Sequence, residues 1–170
     1  MGEPEPVDLI HLADADANSN GDGNGNGNGN GNRCIVRVTG RDQPGVLTGH
    51  DTLRAEVLVS TGFLDARLEL YLFQRDLSAW EEELERLVPR GNAGLGGGRG
   101  LELGIQLNDD ASVGVTINDP DRLSTFFWIR PQDDWIQDHR ARLDRVRQAW
   151  PSEVVETAPM TYEWSPRRKK

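Results

Sequence analysis

The sequence predicts an α+β fold of two layers, in which a mostly antiparallel β-sheet of about seven strands packs against two helices. Apolar and polar side chains alternate strictly from Leu64 to Phe73, the pattern of an antiparallel strand with one buried face. Two other segments, 76–88 and 133–150, place their apolar residues on one helical stripe. Short turn sequences separate the elements, so strands that are neighbours in sequence are expected to pair.

Along the chain, we expect four strands, a helix, three strands and a second helix. The alternation is clear in each strand segment, and turn residues such as Pro44-Gly45 and Thr61-Gly62 lie between segments. The predicted strands are 7–12, 33–39, 53–60 and 64–73 before the first helix, and 101–107, 113–117 and 123–130 after it.

One domain is expected over residues 7–151, with peripheral segments that add little to its core. Residues 1–6 and the charged tail 152–170 lack a sustained period and are predicted to be flexible. An Asn-Gly repeat dominates residues 13–32; one Asn-Gly turn suffices for a hairpin, so the rest is predicted to be a disordered insert. The glycine-rich segment 91–100 follows a helix and precedes a strand, the reverse of a phosphate-binding loop, and is predicted to be a flexible loop.

The charge balance narrows the classes of partner. The net charge is −9, and the first 32 residues carry six acidic side chains and no Lys or Arg. Nucleic acid binding needs cations that neutralise phosphates, so we expect no nucleic acid partner, whereas a basic protein is compatible. No apolar run is long enough to span a membrane. The lack of a secretory signal and the lone cysteine, Cys34, favour the cytoplasm.

No catalytic, metal or cofactor site is predicted. The three histidines lack a second His or Cys at metal-ligand spacing. His139 falls on the apolar stripe of the second helix and is predicted to be a buried or interface residue whose hydrogen bonds are satisfied. Cys34 lies in a strand between apolar residues and is predicted to be a buried, inert thiol.

One polar cluster stays open as an alternative site. His50 and Asp51 follow the turn at Gly49, where a general base or a ligand-binding group could sit. This alternative predicts a concave site where His50, Asp51 and the glycine-rich segment converge with an arginine such as Arg41 or Arg54.

A set of aromatic residues predicts an interaction surface. Large apolar side chains stand opposite the core-facing positions of two strands, and aromatic residues beside arginine are enriched at interfaces. The alternative is that a helix, or the tail with Tyr162 and Trp164, covers them. The residues of this predicted surface are Tyr71, Phe73, Phe126, Trp128 and Trp135.

Several stretches also resemble a known group of proteins: LIHLAD, CIVRVTGR followed by PGVLTGHD, AEVLVSTGF with ARLEL and DLSAW, and DDWIQDHRARLDRVRQAWP. Together they span most of residues 7–151. In these stretches the chain resembles small, uncharacterised actinobacterial proteins classed as a domain of unknown function. The resemblance implies a small, β-rich α+β protein with no assigned activity, cofactor or catalytic residue. The Asn-Gly insert and the charged tail depart from the pattern.

Three hypotheses of function follow. The first is a non-enzymatic binding module of the cytoplasm, of immunity or regulatory type, that covers a basic protein with an acidic, aromatic surface. The second is a small ligand-binding domain or enzyme with its site near His50 and Asp51. The third is a stand-alone domain whose role depends on its genomic neighbours. The sequence does not identify a partner or an oligomeric state.

Overall fold

The structure, a computed structural model, describes residues 2–18, 31–98 and 100–168. Within these ranges the chain forms ten strands in three antiparallel sheets, with two α-helices. The first sheet has the order β1 (Val7–Ala13), β2 (Arg33–Arg41), β3 (Leu53–Ser60) and β4 (Asp65–Leu72), and α1 (Gln74–Arg86) follows it. The second sheet has the order β5 (Asn92–Gly96), β6 (Glu102–Leu107), β7 (Val113–Asp119) and β8 (Leu123–Ile129), and α2 (Trp135–Ala149) follows it. A hairpin of β9 (Val154–Ala158) and β10 (Thr161–Trp164) ends the described chain.

The two large sheets belong to two consecutive units of the same topology. Each unit is a meander of four antiparallel strands followed by one helix. Each helix packs against the first strand of the other unit, α1 against β5 and α2 against β1. The buried apolar residues of both sheets and both helices form one cluster. The exchange of helices therefore joins the two units through a common core.

Each helix also satisfies a backbone donor of the edge strand that it covers. The His11 N–H of β1 donates to Nε2 of His139 on α2, at 3.0 Å. The Gly94 N–H of β5 donates to Oε2 of Glu83 on α1, at 2.6 Å. A strand at the edge of a sheet exposes unpaired donors and acceptors, so each contact satisfies one donor that would otherwise need water or another strand.

His139 is fully buried and has partners at both ring nitrogens. Its Nδ1 lies 2.6 Å from the carbonyl oxygen of Trp135, so Nδ1 carries the proton and Nε2 accepts from His11. Burial lowers the pKa of His139 to about 4, which keeps the ring neutral and the acceptor free at neutral pH. The prediction of a buried, hydrogen-bonded His139 is confirmed.

The α+β class and the two helices are confirmed, but the single sheet of seven strands is wrong. All seven predicted strands occur, and β3 has the predicted bounds. The first additional strand, β5, lies inside the segment predicted to be a glycine-rich loop, 91–100. Only two of its side chains, Ala93 and Leu95, face the core. The strand is held to β6 by backbone hydrogen bonds, which leave no alternating pattern in the sequence.

The other two additional strands lie in the predicted tail, 152–170. Residues 154–164 form paired strands there rather than irregular chain. Most of their side chains are exposed, so no alternation of buried and exposed residues marks them in the sequence.

Asp14 closes the base of the Asn-Gly insert and links the two sheets. Its N–H donates to the Asn32 carbonyl, and its Oδ2 accepts from the Asn32 N–H at 2.7 Å. Its Oδ1 accepts from the Arg130 N–H, just beyond β8, at 2.7 Å. The antiparallel pairing of β1 with β2 agrees with the predicted hairpin. Residues 19–30 of the predicted disordered insert, 13–32, lie outside the described residues.

Cys34 lies on β2 and is fully buried. Burial raises the pKa of its thiol to about 12, because a thiolate would lose its hydration there. The residue therefore stays in the unreactive thiol form expected for a core cysteine.

The buried His139 predicts a pH-dependent stability. Its pKa in the fold lies below the value of about 6.5 in the unfolded chain, so the unfolded chain binds the proton first as the pH falls. The free energy of unfolding should drop by about 2 kcal/mol more in the native protein than in His139→Gln between about pH 7 and pH 5. Urea unfolding of both proteins at the two pH values measures this, and equal losses would contradict it.

Candidate functional site

A cleft runs along α1 and the outer face of the second sheet. It consists of two cavities of about 430 and 600 Å³, and Asp76 and Gly96 line both. The first cavity lies between α1 and strands β5 to β7. The second extends past the end of β4 to the turn between β7 and β8. We call the two together the acidic cleft.

The floor of the acidic cleft lacks side chains where two glycines pair. Gly94 on β5 stands opposite Gly104 on β6, and both line the first cavity. A Cβ atom at Gly104 would lie 3.7 Å from the Cβ of Thr116, an ordinary contact, so the position itself has room for a Cβ atom. Glycine within a strand often marks a place where another chain or ligand approaches the backbone. The turn beyond β5 needs glycine for a different reason, since Gly97 has a φ of 110°.

The charges around the acidic cleft are mainly negative. Three carboxylates are engaged within the protein, since Asp76 accepts from the Phe73 N–H, Glu83 from the Gly94 N–H and Asp119 from the Asp121 N–H. Three others have no hydrogen-bond or ion-pair partner among the described residues. Those three are Glu69, Glu102 and Asp121, and the described arginines that line the cleft are Arg75 and Arg122.

Two of the predicted surface aromatics lie at one end of this cleft. Tyr71 and Phe73 are 44% and 45% exposed, and both line the second cavity. The Cζ atom of Arg75 lies 4.8 Å from the centroid of the Phe73 ring, a cation–π distance. The cleft thus combines carboxylates with accessible aromatic rings.

A second aromatic pair lies on β8. Phe126 and Trp128 are 46% and 47% exposed, and their rings meet edge to face at 4.7 Å. Gly114 on the neighbouring strand lets the rings lie close to the sheet, because a Cβ there would stand 2.9 Å from Trp128. Neither ring lines the acidic cleft. The pair lies beside the cleft rather than in it, since Phe126 stands opposite Thr116, which lines the first cavity.

Trp135 does not belong to that surface. It is 7% exposed, and its ring meets the His139 ring at 5.4 Å. The prediction was wrong for this residue because it begins α2, whose apolar face packs against β1.

The structure brings three of the four predicted polar-site residues together. Arg41 Nη1 lies 2.9 Å from Asp51 Oδ1 and donates to the His50 carbonyl at 3.0 Å. Arg54 is exposed on β3 and takes no part in these contacts. His50 Nδ1 accepts from the Gly45 N–H at 2.9 Å, so its Nε2 carries the proton and donates to Glu153 at 2.8 Å.

These residues hold the C-terminal hairpin. Asp51 accepts from the backbone N–H groups of Glu153 and Val154 and from the Ser152 hydroxyl. Burial would raise the pKa of Asp51, but these hydrogen bonds and the charge of Arg41 lower it overall below its ordinary value. The Trp164 ring meets His50 edge to face at 4.9 Å. We call this group the hairpin clamp.

The hairpin clamp and the glycine-rich segment do not converge. Neither of the two cavities that border Gly96 to Gly98 includes His50 or Asp51. Sequence reasoning did not identify Glu153, which lies 103 residues from His50, or the unpaired carboxylates of the cleft. The available indication was the outward position of Glu69 and Tyr71 on a strictly alternating strand.

The described residues contain no group of three His, Cys, Asp or Glu side chains that could hold a metal ion. In the same part of the chain, neither helix is long and apolar enough to cross a membrane.

Residues 26–151 match the model of a family of unknown function, DUF5959. The chain belongs to this family. No curated protein and no solved structure matches it. The DUF5959 match confirms the resemblance to a family without an assigned function. It includes β2 to α2 and the residues of the acidic cleft, and it leaves β1 and the C-terminal hairpin outside.

The hairpin clamp predicts a specific effect of one isosteric substitution. Asp51→Asn removes the charge paired with Arg41 and places an amide where two backbone N–H groups need an acceptor. We expect a loss of about 2 kcal/mol in the free energy of unfolding, the usual cost of losing hydrogen bonds to a charged group. Hydrogen exchange at Val154 should also become faster. Asp109→Asn, at an exposed ion pair with Arg90, is the matched control, and equal effects of both substitutions would contradict the clamp.

Proposed function

We propose that this protein is a non-enzymatic binding module whose acidic cleft holds a basic, extended segment of a partner protein. The observation that carries the proposal is the composition of the cleft. The first cavity has a floor where paired glycines leave the backbone accessible, with the unpaired carboxylate of Glu102 beside it, and the second cavity adds two further unpaired carboxylates and two half-exposed aromatic rings.

The typical free energies of ion pairs and aromatic contacts indicate that binding in the cleft combines charge with apolar contact. An ion pair at an exposed site contributes about 0.2–1 kcal/mol, so three carboxylates alone give weak binding that salt screens. Buried aromatic residues are the usual source of larger contributions at interfaces. Tyr71 and Phe73 supply such area beside the charges, which favours a peptide segment over free cations.

The polar groups of the hairpin clamp are already occupied by contacts within the protein, which favours a protein-binding module over a ligand-binding domain or enzyme with its site near His50 and Asp51. A small-molecule site or an enzyme needs polar groups that are free to meet a substrate. Both ring nitrogens of His50 and both carboxylate oxygens of Asp51 contact the protein itself. The carboxylates of the cleft would also repel phosphates, in keeping with a partner other than nucleic acid.

The cellular setting is part of the same proposal. A role of immunity or regulatory type in the cytoplasm of an actinobacterium is supported by the single buried cysteine and by the preference for arginine over lysine in the sequence. A basic protein partner would complement the net charge of −9.

A charge-neutralised cleft tests the proposal. The variant Glu69→Gln/Glu102→Gln/Asp121→Asn should lose most of its binding to short basic peptides of graded net charge, because it removes the three unpaired carboxylates. The control Glu85→Gln/Asp133→Asn/Glu163→Gln has the same net charge, and its substituted residues do not line the cleft. Fluorescence anisotropy at physiological ionic strength measures both. Equal binding by the two variants, or no preference for positive peptides, would overturn the proposal.

A steric substitution tests the glycine floor separately. Gly104→Val should fill the floor and weaken peptide binding, and the Cβ atom that it adds makes only an ordinary contact, 3.7 Å from the Thr116 Cβ. Gly62→Val, in the turn before β4, is the matched control, since nothing lies within 4 Å of a Cβ there. Thermal unfolding of both variants verifies the fold, and unchanged binding by a folded Gly104→Val protein would exclude this floor as the contact surface.

A further inference from the structure

We propose that the acidic cleft recognises arginine in particular, and that a guanidinium group of the partner's segment takes the place of Arg75 on the Phe73 ring. This inference rests on the proposed function above. It starts from one contact: the chain's own Arg75 already places a guanidinium over the ring, 4.8 Å from its centroid.

The ring that receives the guanidinium is held by the backbone around it. Phe73 is the residue before α1 and has an extended conformation, with φ −91° and ψ 162°. Its N–H donates to Asp76 Oδ2 at 2.7 Å, which fixes the start of the helix and the base of the side chain. Almost half of the side chain stays exposed within the second cavity. A ligand therefore meets a positioned aromatic ring.

Arg75 holds its place weakly. Its side chain is 81% exposed, and its Nε lies 3.9 Å from Asp76 Oδ1, beyond hydrogen-bond distance. A cation–π contact at an exposed site corresponds to a factor of about two to five in an equilibrium constant. Displacement of Arg75 by a partner's side chain therefore costs little affinity, and the chain's own residue acts as a mild competitor.

The groups around Phe73 suit a guanidinium better than an ammonium group. Arginine is planar, stacks on aromatic rings and presents a fork of N–H donors to a carboxylate, whereas lysine is a strongly hydrated point charge. Tyr71, Glu69 and Asp121 line the same cavity as Phe73, and both carboxylates lack partners among the described residues. An arginine side chain can use the ring and a carboxylate together.

Two fluorescent peptides test the inference, one alternating arginine with glycine and the other lysine with glycine, of equal length and charge. We expect the native protein to bind the arginine peptide about two- to fivefold more tightly. Phe73→Leu keeps the backbone contact to Asp76 and should abolish that preference, because it weakens binding of the arginine peptide more than binding of the lysine peptide.

Removal of the Arg75 side chain, which competes for the Phe73 ring, provides a second test of the inference. Arg75→Ala should tighten binding of the arginine peptide about two- to fivefold beyond the effect of Arg122→Ala. Arg122→Ala removes the same charge from the other described arginine that lines the cleft, and among the described residues Arg122 makes no cation–π contact. The lysine peptide should respond equally to both substitutions.

The outcomes separate the two proposals. If both peptides bind the native protein with equal affinity, the arginine inference is overturned and the proposed function stands. If neither peptide binds the native protein, the proposed function fails and the arginine inference fails with it. A preference for arginine that persists in Phe73→Leu overturns the role of the ring.

Discussion

The closure of an edge strand by a helix is the interaction on which the rest of this structure depends. Each four-stranded sheet begins with an edge strand, β1 or β5, and the helix of the other unit covers it. Apolar burial supplies most of the stabilisation, but it has no direction and tolerates a sliding helix. The His139 and Glu83 contacts to strand N–H groups set the position of each helix along its strand. The two accepting groups differ in kind, since a neutral imidazole serves β1 and a carboxylate serves β5.

The acidic cleft follows from the way in which α1 meets β5. Glu83 reaches the backbone of a strand whose outward position, Gly94, carries no side chain. The same lack of side chains at Gly94 and Gly104 leaves an open floor beside the helix. One arrangement thus closes the edge of the sheet and creates the groove, and a larger residue at Gly94 would meet the Leu103 carbonyl oxygen at 2.9 Å. Glycine at positions 94 and 104 therefore serves both the packing of α1 on β5 and the proposed binding surface.

Most of the fold was accessible to sequence reasoning because its strands and helices have one buried face. β3 and β4 alternate without exception, so their pairing and the helix after them could be predicted. β5 has too few side chains to alternate, and β9 and β10 bury too little to show a pattern. The aromatic residues of the cleft were predicted from their outward positions. Its carboxylates come from separate segments that only the folded sheets bring together, and Glu153 joins His50 from a distant part of the chain.

The hydrogen bonds between Asp14 and Asn32 have a consequence for how this chain can evolve. They join the two residues that flank the Asn-Gly segment, and Asp14 is tied in turn to the end of β8. The register of β1 against β2 is therefore fixed at the neck, independently of how many residues lie beyond it. The free energy of closing a loop rises by only about 0.6 kcal/mol for each doubling of its length. Slippage during DNA replication can add or remove Asn-Gly pairs at this point with almost no effect on the stability of the fold, so selection for stability hardly opposes such changes.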